Sequence, residues 1–183
     1  MAEEREDAPS RWLVGLTRVG LFLVGLPRAA KIVLASGWMV LIWALSSSSF
    51  DRPPGGPSVL WSALANLAHA PLFGLLALFV LAAVLPRCEG VLPVVSRSHV
   101  LVALVAAGGY GALDEWHQSW TPGRDSTGLD VLIDLTGAAC VLWVVAGVAR
   151  HDARPDRARD VRKRLAVGMI ACVLAAGVAS VAS

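Results

Sequence analysis

The sequence predicts an all-α fold: a polytopic transmembrane helical bundle of about five spans, preceded by an N-terminal interfacial amphipathic helix. Three observations predict it. Hydrophobic residues make up 56% of the 183-residue chain and charged residues only 16%, against about 25% charged in an ordinary soluble domain. The mean hydropathy is +0.62, and the apolar residues fall in long blocks rather than in alternation. Of the 16 basic residues, all but Arg52 and Arg124 cluster where a chain of five alternating helices would turn on one side. That bias marks the cytoplasmic face.

Residues 1–10 are mostly acidic and no small-residue cleavage site comes after them, so the start does not resemble a signal peptide and is expected to be retained. Residues 12–26 are too short for an easy span. Arg11 and Arg18 share a helix face with Gly15 and Gly25, with Leu, Val and Trp on the rest. This is the pattern of a helix lying on the cytoplasmic leaflet. Pro27 breaks it from the first span.

A spanning helix needs about 20 mostly apolar residues. Five runs answer to that: residues 30–49, 60–85, 98–116, 129–149 and 165–182. Pro71 should kink the second. The third is short, and its end, carrying Asp114 and Glu115, must lie near the membrane surface. The organisation is therefore a cytoplasmic N-terminus with its interfacial helix (1–28), a four-helix core (29–150), a basic cytoplasmic loop (151–164) and an additional C-terminal helix (165–183). The expected setting is a cytoplasmic (inner) membrane, with the N-terminus inside and the C-terminus outside.

Several function classes are disfavoured. The Arg-rich stretch 150–164 reads as a juxtamembrane topology signal rather than a nucleic-acid surface. The glycines of 55–56 lack the strand-and-helix context of a phosphate cradle. Cys88, Cys140 and Cys172 have no metal-ligand spacing. No His-Glu-x-x-His run exists, so neither a metal nor another cofactor is expected. The hydroxyls of Ser46–Ser49 are expected to cap or end the first span.

The informative stretch is 110–137, YGALDEWHQSWTPGRDSTGLDVLIDLTG. Tyr110, Asp114 and His117 share one helix face, with Gln118 one step round. Gly108, Gly111, Glu115 and Gln118 define an adjacent face suited to close helix approach. Thr121-Pro122-Gly123-Arg124 has the residues of a type II turn, which would present Arg124 back toward the helix ends. Asp130, Asp134 and Gly137 continue one face of the fourth span, and Asn66 with His69 lies at similar depth on the second. A carboxylate at such depth is costly unless it faces the bundle and is paired. The expected result is one outer-leaflet pocket formed by Asn66, His69, Asp114, Glu115, Arg124, Asp130 and Asp134.

Leu-Ser-Ser-Ser-Ser-Phe after the first span, His69 early in the second, then Asp-Glu-x-x-Gln, Pro-Gly-Arg and Asp-x-x-x-Asp-x-x-Gly appear in that order. Over residues 31–149 this arrangement resembles the VanZ-like family of integral membrane proteins. The chain departs from the family pattern at Asp134, where Asn is common, and at Asn66, where Lys or Asp often stands. The family's founding member is associated with low-level resistance to the glycopeptide teicoplanin, so the resemblance implies a role in the bacterial cell envelope, near lipid-linked wall precursors.

Three readings are open. In the first, the protein binds or modifies an envelope lipid or lipid-linked wall precursor. Asp114, Glu115 and His69 would do acid/base work; Arg124 would hold a phosphate through its bidentate fork, with Gln118, Asp130, Asp134, Asn66 and Tyr110 also binding substrate. The partners are then membrane lipids, including a phosphorylated lipid carrier or wall precursor, and not nucleic acid. In the second, the polar cluster is a structural helix clasp without catalysis. In the third, the protein is a small proton- or ion-coupled carrier using Asp134 and His69, disfavoured by the lack of an inverted repeat.

Overall fold

A computed structural model describes residues 10–47, 59–121, 128–150 and 156–182. Six helices account for them: α1 (Arg11–Gly25), α2 (Arg28–Ser46), α3 (Val59–Val84), α4 (Arg97–Gln118), α5 (Gly128–Val148) and α6 (Arg157–Ala182). No strand occurs among the described residues. The fold is all-α.

Helix α1 has 15 residues, about 22 Å at 1.5 Å per residue, and lies against the ends of the longer helices. Leu13 packs with Val148 of α5 and Val161 of α6, while Val24 packs with Ala77, Leu81 and Leu85. One short helix thus reaches from the end of α3 to the α5–α6 junction, as an interfacial helix would. Leu26 is extended (φ −62°, ψ 148°) because the ring of Pro27 disfavours a helical residue before it, and α2 starts at once at Arg28.

Packing fixes the helix directions. Lys31, early in α2, is buried and donates through Nζ to the Leu85 carbonyl just beyond α3, at 3.3 Å. The two helices are therefore antiparallel, and the ammonium sits where the α3 carbonyls concentrate negative charge. Ala70 and Gly74 of α3 meet Gly137 and Val141 of α5, so α3 and α5 run parallel and α4 must return between them. Helix α4 is opened by a capping box: the Ser96 hydroxyl accepts from the His99 amide and His99 Nδ1 accepts from the Ser96 amide, each at 3.3 Å. The bundle alternates through α2 to α6, with α5 packed on α3, α4 and α6.

Helices α2, α3, α5 and α6 are long and apolar enough to cross a membrane. Helix α4, 22 residues long, is kept out of that set by its polar end, which points into the bundle. Val33, Val40, Leu101, Val105, Ile170, Leu174 and Val178 are exposed on the outside, an apolar perimeter that lipid covers and water would not. The chain is a multi-pass membrane protein.

The helix boundaries match the apolar runs within two residues, except at the end of α2, which stops at Ser46 where the run extends to 49, and at the start of α6. That helix starts at Arg157, so most of the expected basic loop is its first two turns. Arg and Lys are good helix formers, and here they also serve the end of α5. Arg157 donates to the Val148 carbonyl. Arg164 donates to the Trp143 carbonyl and to Asp160, each at 2.9 Å, and lies 5.2 Å from the Trp143 ring centre. Helix α3 continues through Pro71.

Candidate functional site

The end of α2, the first half of α3, the end of α4 and the start of α5 meet at the bundle end opposite the α5–α6 junction. Close backbone approach makes room for polar side chains there. A Cβ on Gly137 would lie 2.6 Å from Ala70 Cα and collide with the Ala70 carbonyl oxygen, and one on Gly111 would lie 2.7 Å from Asp134 Oδ2. The α3–α5 crossing therefore depends on glycine, and at the α4–α5 crossing the Asp134 carboxylate is seated directly on the α4 backbone at Gly111.

Two networks result. In the first, Asp114 Oδ2 accepts from Ser46 Oγ at 2.8 Å and from Gln118 Nε2 at 2.7 Å. Gln118 Nε2 also reaches Ser46 Oγ at 3.4 Å. All three residues are buried. Beside them His117 stacks on Trp43, with ring centres 3.8 Å apart, and its Nε2 lies 2.9 Å from Ser47 Oγ. In the second, His69 Nδ1 lies 3.2 Å from Asp134 Oδ1, with the Asp134 side chain 1% exposed.

Glu115 belongs to neither network. It is 8% exposed, and neither carboxylate oxygen has a hydrogen-bond partner among the described residues. Its electrostatic neighbours are Asp130, His69, Asp134 and Asp114. Asp114 Oδ1 and Asp134 Oδ2 are likewise buried without a partner. Buried polar groups are normally satisfied, so four unmet acceptor atoms on three carboxylates at one bundle end call for a ligand or protons. The arrangement can accept hydrogen bonds and attract positive charge.

The expected cluster comes together in most of its members. His69, Asp114, Glu115, Asp130 and Asp134 converge, and Asp130 is buried one turn before Asp134. Gln118 joins through Asp114 on the α2 side, not on the Glu115 face expected from the sequence. Asn66, half-buried one turn from His69, makes no hydrogen bond to these carboxylates among the described residues. Tyr110 is occupied otherwise: its hydroxyl donates to the Met39 carbonyl at 2.6 Å, and its ring packs near Phe73. It ties α4 to α2, with Asp114 among its electrostatic neighbours. Arg124, with the turn at 121–124, lies outside the described residues apart from Thr121, as do Ser48 and Ser49.

Ser46, Ser47 and Trp43 are the members that sequence reasoning missed. A signal existed: Ser46 lies four residues after the buried Ile42, on the inward face of α2 rather than at a frayed end. Ser46→Ala is expected to lower stability by about 1–3 kcal/mol, because Asp114 loses a donor inside the bundle. Thermal unfolding in detergent checks it.

Among the described residues, no three His, Cys, Asp or Glu side chains are grouped so as to hold a metal ion. An apolar cavity of about 120 Å³ lies at the other end, lined by Leu23, Leu81 and Val145 with their neighbours. No residue of the acidic cluster lines it. Comparison with protein-family models, with curated proteins and with solved structures finds no match.

Proposed function

We propose that this chain is a cell-envelope protein of the bacterial cytoplasmic membrane that binds the headgroup of a lipid or lipid-linked wall precursor at its acidic bundle end. The observation that carries the reading is Glu115, a buried carboxylate with both oxygens unpartnered beside the His69–Asp134 pair. Keeping such a group inside a membrane protein costs stability and is the mark of a functional site.

The charge bias supports the orientation in this reading. Arg87, Arg97, Arg150, Arg157 and Arg164 sit at the end opposite the acidic cluster, so the cluster opens to the outer leaflet and the N-terminus is cytoplasmic. The motif order resembling the VanZ-like family supports the envelope setting and, through it, an effect on glycopeptide susceptibility. In an enzymatic form of this reading, Glu115 and His69 would exchange protons with the bound headgroup.

The test is identification by mass spectrometry of lipids that co-purify with the full chain in mild detergent, compared with Glu115→Gln. A specific envelope lipid or wall precursor retained by the wild type and lost from the variant is expected. Identical lipid profiles from both would overturn the reading.

The clasp reading has its own observation: the Ser46–Asp114–Gln118 network and the His69–Asp134 pair each join two helices. Under it, Asp134→Asn lowers the amount of folded protein in membranes and changes no bound lipid.

A further inference from the structure

We infer that the group received at Glu115 is a primary ammonium carried on a lipid headgroup; this rests on the headgroup-binding reading above and gives it a chemical class. Among the described residues, the unmet atoms at this bundle end are all acceptors: both oxygens of Glu115, Oδ1 of Asp114 and Oδ2 of Asp134. Their residues are 8%, 0% and 1% exposed, so bulk water does not serve them. What completes the site must donate hydrogen bonds.

Charge narrows the choice. Among the described residues, the groups acting on Glu115 are the carboxylates of Asp130, Asp134 and Asp114 and the imidazole of His69. A phosphate brought against Glu115 would meet like charge and find no donor on it. A metal ion would need several ligands grouped around it, and among the described residues no such group of three exists, whereas an ammonium can be received by the Glu115 carboxylate alone. A hydroxyl offers one donor and no charge. A primary ammonium offers three donors and a positive charge, and its bonds to carboxylates are of the strong, charge-assisted kind. A trimethylated ammonium offers charge without a donor.

Position narrows the source. Glu115 lies three residues before the end of α4 at Gln118, about 4.5 Å along the axis. The adjacent Trp116 is 58% exposed and Trp120, just beyond the helix, 74%; their rings sit 6.0 Å apart, edge to face. Exposed tryptophans at the end of a helix packed among the spanning helices α3 and α5 mark the headgroup level of the bilayer. Glu115 is therefore at the depth of a lipid headgroup and turned inward from it.

The experiment offers the full chain in detergent an equimolar mixture of phosphatidylethanolamine, phosphatidylcholine and phosphatidylglycerol with identical acyl chains, and counts retained lipid by native mass spectrometry. Phosphatidylethanolamine is expected to be retained about tenfold over each of the others, the equivalent of about 1.4 kcal/mol. Glu115→Gln should abolish the preference while the protein stays monodisperse. Glu115→Asp, which withdraws the carboxylate by one methylene, should reduce it, and serves if the first variant fails to fold. Equal retention of phosphatidylethanolamine and phosphatidylcholine by the wild type overturns the inference, as does a preference that survives in Glu115→Gln. A Glu115-dependent preference for phosphatidylglycerol overturns the ammonium but leaves headgroup binding standing; no selective retention of any lipid overturns both. Soluble ethanolamine in excess should not displace the lipid, and displacement would overturn the lipid as the source of the amine.

Discussion

Gly137→Ala is expected to cost about 3 kcal/mol, the upper part of the range for overpacking, and Gly137→Leu to leave little folded protein. The added Cβ has nowhere to go, since it would lie 2.6 Å from Ala70 Cα and 2.7 Å from Ala70 C. These are backbone atoms of α3, so relief requires the two helices to move apart. In a membrane, helix association depends on packing rather than on the exclusion of water, and a lost close approach is not repaid elsewhere. Separation would also spoil the His69–Asp134 contact, which spans the same pair of helices. Gly109→Ala is the control: nothing lies within 4 Å of its added Cβ, and it is expected to be neutral or slightly stabilising. Thermal unfolding and the monodisperse fraction in detergent check both. Equal stability of Gly137→Ala and Gly109→Ala would contradict so close a crossing of α3 and α5.

His69→Ala is expected to destabilise by about 3 kcal/mol, because it leaves the Asp134 carboxylate buried without its partner. Asp134 has no second partner for Oδ2 and lies against the backbone of Gly111, so it cannot turn to water. Removing both groups should hurt less than removing one. The pair His69→Ala with Asp134→Leu is expected to recover part of the loss, since no lone buried acid then remains. Unfolding measurements on the two single variants and the double form the cycle. Strict additivity would show that the 3.2 Å contact carries no coupling.

Much of the fold is legible from hydropathy alone. Lipid selects for uninterrupted apolar runs, and those runs end within two residues of the ends of α3, α4 and α5. The acidic end is legible for the same reason: Asp114, Glu115, Asp130 and Asp134 stand out against apolar surroundings and share one depth. The partners are less so. Whether Asp114 turns toward α2 or α5 depends on helix rotation, which a one-dimensional pattern does not carry, so the sequence alone makes Ser46 a cap and Tyr110 a ligand-binding group. Lys31 and Arg164 count as topology charges in the sequence, yet they bond to the Leu85 and Trp143 carbonyls. Their long apolar stems let one residue serve both roles. Helix α6 starts early because a basic segment can be helical and basic at once.

Under the proposed function, Glu115 is kept at the expense of stability because a headgroup binds there, and measuring thermal stability and retained lipid on the same sample of Glu115→Leu tests this most directly. Stability is expected to rise by about 1–3 kcal/mol, as a buried unsatisfied acid is replaced by an apolar side chain, while the bound lipid is lost. A fall in stability with the lipid retained would contradict the binding role and make Glu115 part of the clasp.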